Sequence, residues 1–190
     1  EMCIRDRSSI TADTVAATLT SIDVIDPATG VYKAGDVVTI VATYSENVYG
    51  NESRATITAS TAPVLKVKFG SSTERTATFK SASGNTITYT CTIAAGDNGV
   101  LASTSYTGTV YDYAKNSTTV SNKALGGNTI TADTTAPILS SIAVVSPASG
   151  TYKAGTAITI RATYNEPIKG TPPTLKIKFG SGAELSLIHI

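Results

Sequence analysis

The sequence predicts an all-β chain: one complete antiparallel β-sandwich module followed by the front of a second. Three observations carry this. Short segments alternate apolar and polar residues with a period of two, as half-buried strands do. Turn phrases rich in Gly, Asp and Asn separate them at short intervals: DPATG, KAGD, SASGN, AGDNG and ALGGN. The chain also repeats itself. Shifted so that Thr11 falls on Thr131, the stretch 10–48 matches 130–168 at about 23 of 39 positions.

The elements follow in order. The phrase ITADT stands at 10–14 and again at 130–134, which makes it the joint that opens each module. The second joint, 133–137, reads DTTAP; Pro137 narrows its freedom because its φ is fixed and its neighbour is restricted. A first strand is expected near 18–25. VVTIVATY (37–44) is the next. Its own pattern leaves the inner face open, and the second copy, AITIRATY, decides it. Arg161 stands where the first copy has Val41, so that face looks outward. Val38, Ile40, Ala42 and Tyr44 then look inward, as do Ile158, Ile160, Ala162 and Tyr164. The first copy carries about ten extra residues after this strand, in YGNESRATITASTAP, which marks a surface loop. VLKVKF (64–69) points Leu65, Val67 and Phe69 inward and Lys66 and Lys68 outward; TLKIKF repeats this with Leu175, Ile177 and Phe179. A strand is expected within 75–81. TITYTCTI (86–93) places Ile87, Tyr89, Cys91 and Ile93 on one face, with Cys91 as a small core residue. Strands near 105–112 and within 118–132 bring the total to about seven for the module 11–132, the number and spacing of a sandwich, with a barrel as the second choice. The remainder, 138–184, reads as a truncated second module, too short to close a core of its own.

Both ends read as translated adapter DNA rather than protein. Residues 2–7, MCIRDR, can be encoded by ATG TGT ATA AGA GAC AG, and the reverse complement of that word reads LSLIHI, the sequence at 185–190. It resembles a transposon-end adapter, and segments 1–7 and 185–190 are set aside from fold reasoning. Met2, Cys3 and His189 leave the inventory with them, so 8–184 holds no His, Met or Trp and a single cysteine. Charged residues are 15% and the net charge is +1, which gives no electrostatic basis for binding nucleic acid or an anionic membrane. No apolar run approaches the roughly 20 residues that cross a bilayer. The segment 8–184 offers no imidazole base, no phosphate-cradling glycine loop and no carboxylates within a recognisable motif, so no catalysis is expected.

SPASGTYKAGTAITIRATYNEPI, followed by TLKIKFG, resembles the bacterial immunoglobulin-like repeats of large surface and adhesin-like proteins. VYDYAKN is similar to the D-x-A-G-N turn of such repeats, and DTTAP to the joint between them. Lys115 departs from this pattern, in which Gly is usual, and Ala17 stands where the second joint has Pro137. The resemblance implies an immunoglobulin-like sandwich in a secreted or cell-surface bacterial protein built as a string of modules, with neighbouring modules as partners and a surface receptor or glycan reached through other domains.

One constellation carries chemistry. In hairpin order, alternate loops return to the pole where the chain enters a module. Asp13, Glu46, Asp112 and Asn116 are expected to gather there, and Asp133 and Glu166 take the equivalent places in the second module. Asp26 and Asp97 are expected at the opposite pole, near Asp133. All offer oxygen ligands, which suit Ca²⁺ and its 6–8 coordination positions; the same residue types also simply make turns. The expected function is therefore a structural spacer or adhesion stalk, stiffened at its joints by Ca²⁺. The alternative is a ligand- or carbohydrate-binding accessory module of a secreted enzyme, for which Tyr49, Tyr111 and Tyr113 are the candidate contacts. Outward tyrosines clustered together would favour the second reading, scattered ones the first.

Overall fold

The computed structural model describes residues 11–171 and 173–187; the proposed adapter segment 1–7 and the last three residues of 185–190 lie outside these. The chain divides into two compact units between Thr135 and Ala136. The strands of the first are β1 (Leu19–Asp26), β2 (Gly30–Tyr32), β3 (Val37–Tyr44), β4 (Val64–Phe69), β5 (Arg75–Thr76), β6 (Thr78–Ser83), β7 (Thr86–Thr92), β8 (Asn98–Thr107), β9 (Thr109–Tyr111), β10 (Ser117–Thr119), β11 (Leu125–Gly127) and β12 (Ile130–Asp133). They form a β-sandwich. One sheet has the order β11-β1-β3-β7-β6, the other β2-β12-β8-β4-β5, and β9 pairs with β10 beside them.

The inner faces follow the alternation read from sequence. Val38, Ile40, Ala42 and Tyr44 of β3 are buried, with Ile87, Tyr89 and Cys91 of β7 beside them. Leu65, Val67 and Phe69 of β4 supply the opposing sheet together with Leu101, Tyr106, Ile130 and Ala132. These residues form one continuous apolar cluster. A chain of phenol hydroxyls runs through it. Tyr89 donates to the carbonyl of Pro63 (2.7 Å) and thereby uses its one proton. Tyr106, 3.2 Å away, must then donate to Tyr89, and Tyr44 to Tyr106 (2.9 Å). The chain joins β3 and β7 of one sheet to β8 of the other, so three polar groups are buried with partners.

The sandwich is antiparallel except at two edges, where β11 lies parallel to β1 and β2 parallel to β12. The reason is that two segments each switch sheets. The chain leaves β1 through Pro27 and continues in the other sheet as β2; likewise β11 continues as β12. The crossing points are tied together: Gly30 donates to Thr129 O, Asn128 to Val24 O, and the Asn128 amide to Pro27 O. The strand expected within 75–81 also divides, at buried Ala77, into β5 on one sheet and β6 on the other.

The second unit contains β13 (Leu139–Ser146), β14 (Thr159–Tyr164), β15 (Leu175–Ile177) and β16 (Leu185–Leu187). β13 pairs with β14 as β1 pairs with β3, residue for residue, including both register irregularities. The Tyr32 hydroxyl donates to Ala28 O, and Tyr152 to Ala148 O. The Lys66–Glu74 ion pair recurs as Lys176–Glu184.

Candidate metal centre at the upstream pole

Three loops meet where the chain enters the first sandwich. The first is the joint itself. Asp13 turns it by accepting the Val15 amide on Oδ1 (3.1 Å), and its carbonyl accepts the Asn116 side-chain amide (3.2 Å). Further on, Thr118 donates its hydroxyl to Ala17 O, and Thr18 donates its amide to Ser45 Oγ. These bonds hold the joint against β10 and against the loop after β3. That loop carries Glu46. It is fixed in turn by paired amide bonds between Tyr49 and Tyr111. The third loop follows β9. Asp112 is fully buried, and its two oxygens accept the backbone and side-chain amides of Asn116 (2.8 and 2.7 Å). Lys115 completes this turn at φ 76°, in the left-handed region.

The outcome is that carboxylate oxygens of Asp13, Glu46 and Asp112 lie within 4.8 Å of one another, the one such acidic cluster among the described residues. Burial raises the pKa of Glu46 above its ordinary value, and the charges of Asp13 and Asp112 raise it further. Three hard oxygen donors converging from three loops are the ligand chemistry of Ca²⁺. Asn116 joins the group in another capacity: its amide nitrogen braces Asp112 against the joint backbone.

The second set is described unit by unit. Asp133 ends β12, is exposed, and accepts the Thr135 amide (3.1 Å) as Asp13 accepts Val15. Glu166 is half-buried in the second unit, with one carboxylate oxygen shielded from solvent and without a hydrogen-bond partner among the described residues. At the downstream pole Asp97 is buried and already committed: Arg75 forms an ion pair with it, and the Ala94 amide donates to its other oxygen. What holds the outgoing joint there is the 96–98 turn. Gly96 donates to Thr134 Oγ1 (3.0 Å), and Asn98 Oδ1 accepts the Thr134 amide (3.0 Å).

Two of the three candidate tyrosines pair through their rings, and Tyr111 is bridged to Tyr49 through the backbone. Tyr49 and Tyr113 have ring centroids 6.2 Å apart, and Tyr113 is 61% exposed. Arg54, from the loop that the second unit lacks, lays its guanidinium 4.0 Å from the Tyr113 centroid and donates Nε to the Tyr113 carbonyl. Sequence reading missed Arg54, because nothing in a lone arginine of an inserted loop announces an aromatic partner so far along the chain. No protein-family model matches this chain, and no curated protein is similar to it.

Proposed function

We propose that this chain is a non-catalytic, tandem-repeat segment of a secreted or cell-surface bacterial protein, acting as a spacer whose modules are immunoglobulin-like and whose joints are stiffened by Ca²⁺ at the upstream pole. One observation carries the reading. The phrase ITADT is gripped in both places where the first unit meets it: at 131–134 by β8 and the 96–98 turn, at 11–14 by Asn116 and its surroundings. A chain that anchors both ends of its repeat unit into the fold is suited to transmit direction along an array rather than to act on a substrate. The three carboxylates at one of those anchors bring oxygens within 4.8 Å of one another, a spacing that a shared cation would bridge between joint and body.

Calorimetric titration of the whole chain with CaCl₂ tests the ion. Saturable binding is expected with extracellular-type affinity of about 10⁻⁴–10⁻³ M. At ten times Kd the ion stabilises the first unit by about 1.4 kcal/mol, seen as a raised Tm. Asp112→Asn should abolish both signals. No heat and no thermal shift at millimolar Ca²⁺ removes the ion from the reading and leaves the spacer.

The accessory-module reading is favoured by the Tyr49–Tyr113 pair and by a cleft of about 180 Å³ beside Tyr49, lined by Asn47, Thr56, Ile57 and Ser83. Against it, Arg54 covers part of the exposed ring. A panel of soluble polysaccharides separates the two: binding that Tyr113→Ala abolishes supports the accessory role, and absence of binding by the wild-type chain supports the spacer.

A further inference from the structure

The inserted loop of the first unit holds an arginine still. Its turn, 50–55, is closed on itself: the Gly50 amide donates to Ala55 O (2.8 Å), the Arg54 amide to Asn51 O (3.0 Å), and Asn51 Oδ1 accepts the amides of Ser53 (2.9 Å) and Ala55 (3.1 Å). Within it Arg54 stands at φ 59°, in the left-handed region that glycine enters freely and an L residue does not. The side chain is fixed twice more, by the Tyr113 ring 4.0 Å from the guanidinium and by the bond from Nε to Tyr113 O (2.8 Å). Its two Nη groups keep their donors free among the described residues, and no carboxylate there pairs with this exposed side chain. Backbone strain that the surroundings enforce gathers at binding sites. Glycine would stand at 54 without strain; the chain places an oriented cation.

Beside it lies a cleft. Tyr49, whose ring pairs with Tyr113, lines the cleft of about 180 Å³, and so does Thr56, two residues on from Arg54. Exposed Asn47 and Ser83 add an amide and a hydroxyl, and buried Ile57 an apolar wall.

The two parts select one occupant. A guanidinium with a free planar fork selects a carboxylate. The cleft selects what carries it. A peptide laid in such a place is held largely through its main chain, and the main-chain groups at this rim are already used: Val48 N bonds to Gly84 O, and Tyr49 and Tyr111 bond to each other both ways. What the rim offers is side-chain hydroxyl and amide groups beside an aromatic ring, a lining that fits a polyhydroxylated ring. Arg54 also disfavours a neutral sugar. It withdraws the Tyr113 face from stacking, and a neutral sugar would desolvate the guanidinium without pairing it.

We propose that Arg54, Tyr49 and the cleft walled by Asn47, Thr56 and Ser83 bind a saccharide that bears a carboxylate, a hexuronate unit, with the carboxylate on the Arg54 fork and the sugar ring in the cleft. The proposal rests on the ligand-binding reading and sharpens it; it does not depend on a cation at the upstream pole.

Calorimetric titration of the whole chain tests it, in a chelator and at physiological ionic strength. The probes are trisaccharides of galacturonate and of glucuronate, their methyl esters, a neutral galactose trisaccharide and a short poly-glutamate. At least one acidic trisaccharide should bind saturably, and its methyl ester at least about tenfold more weakly. Arg54→Lys keeps the charge but not the fork and should weaken binding by at least about tenfold. Arg54→Gln should bind acid and ester alike, a levelling that a purely structural part for Arg54 would not produce. Thr56→Val should weaken acid and ester in equal proportion, and unchanged amide exchange at β3 and β7 checks that each variant folds. Binding of the neutral sugar or the esters as tight as that of the acids keeps the ligand-binding reading and overturns this proposal, as does full affinity for the acids in Arg54→Gln. Binding of poly-glutamate alone overturns it in favour of an acidic peptide. Absence of binding by every probe overturns this proposal and the ligand-binding reading together.

Discussion

The hairpins β1–β3 and β13–β14 share pattern, register and irregularities, yet one lies in a closed core and the other faces solvent. Their difference separates two things that usually come together. Pairing is written locally, in the alternation and in the turn that joins the strands. Burial is not: Ile22, Val24 and Ile40 belong to a cluster that also takes residues of β7, β8 and β12, which arrive from far along the chain, and Phe69 is buried where Phe179 is 60% exposed.

The same truncation made in each hairpin should cost very different amounts of stability. Ile40→Ala should destabilise the first unit by about 2–5 kcal/mol, since the residue is fully buried and leaves a cavity. Ile160→Ala removes the same atoms from a half-covered site and should cost less than about 1 kcal/mol of transfer energy. Urea unfolding followed by hydrogen exchange at β3 and β14 reads both. Equal losses would mean that the second unit closes a core of its own in solution.

A second pair concerns the hydroxyl chain. Tyr106→Phe leaves the Tyr44 hydroxyl buried without an acceptor and should cost about 1–3 kcal/mol. Tyr164→Phe, at the place equivalent to Tyr44, should change nothing measurable. Desolvation pushes the Tyr44 phenol up to about 12, against the smaller opposing effect of its bond to Tyr106. Burial also raises Tyr89 and Tyr106, as the first cause in each case. The sign follows: a phenol whose folded pKa is raised contributes stability below its ordinary value of 10.0 and loses it as pH rises beyond that. Alkaline unfolding of the first unit should therefore set in above about pH 10, and Tyr44→Phe should blunt it.

The same division explains what was legible in the sequence. The inward faces of β3, β4 and β7 were, because a second copy with Arg161 in place of Val41 resolved the one ambiguity. The meeting of Asp13, Glu46 and Asp112 followed from counting loops to a pole. The sheet-switching segments were not legible: β2 and β11 are three residues each, β11 resting on β1 and β2 on β12, pairings over about 100 residues that no local pattern records. Nor was the commitment of Asp97, since its partner Arg75 is an ordinary arginine until the fold brings it to the 94–97 turn. Asn116 looked like an oxygen ligand, and the structure uses its nitrogen.

A smaller effect is expected at Lys115. Its φ of 76° is one that an L side chain adopts at a cost of about 1–2 kcal/mol. Lys115→Gly relieves it, while the freer unfolded chain takes part of the gain back. A net stabilisation of up to about 1 kcal/mol should appear as a higher urea midpoint with an unchanged slope.

The smallest effect is the most informative about the pole. In the metal-free protein, burial first, and then Asp13 and Asp112, raise the Glu46 pKa. A raised carboxyl contributes stability below its ordinary value of 4.5, and that contribution is lost as pH rises through the folded value. At neutral pH the Glu46 carboxylate therefore opposes folding. Glu46→Gln should raise Tm in a chelator at pH 7, by less than about 1 kcal/mol of stability, and should have no effect at pH 4 and below. If the pole takes up Ca²⁺ as proposed, the order inverts with the ion present, because the variant has lost one of the three charges. Glu166→Gln is the comparison: the second unit has no counterpart of the 112–116 turn among the described residues, so neither measurement should move. A Ca²⁺ shift that survives both Glu46→Gln and Asp112→Asn would locate the ion elsewhere and leave this pole as three loops held by hydrogen bonds alone.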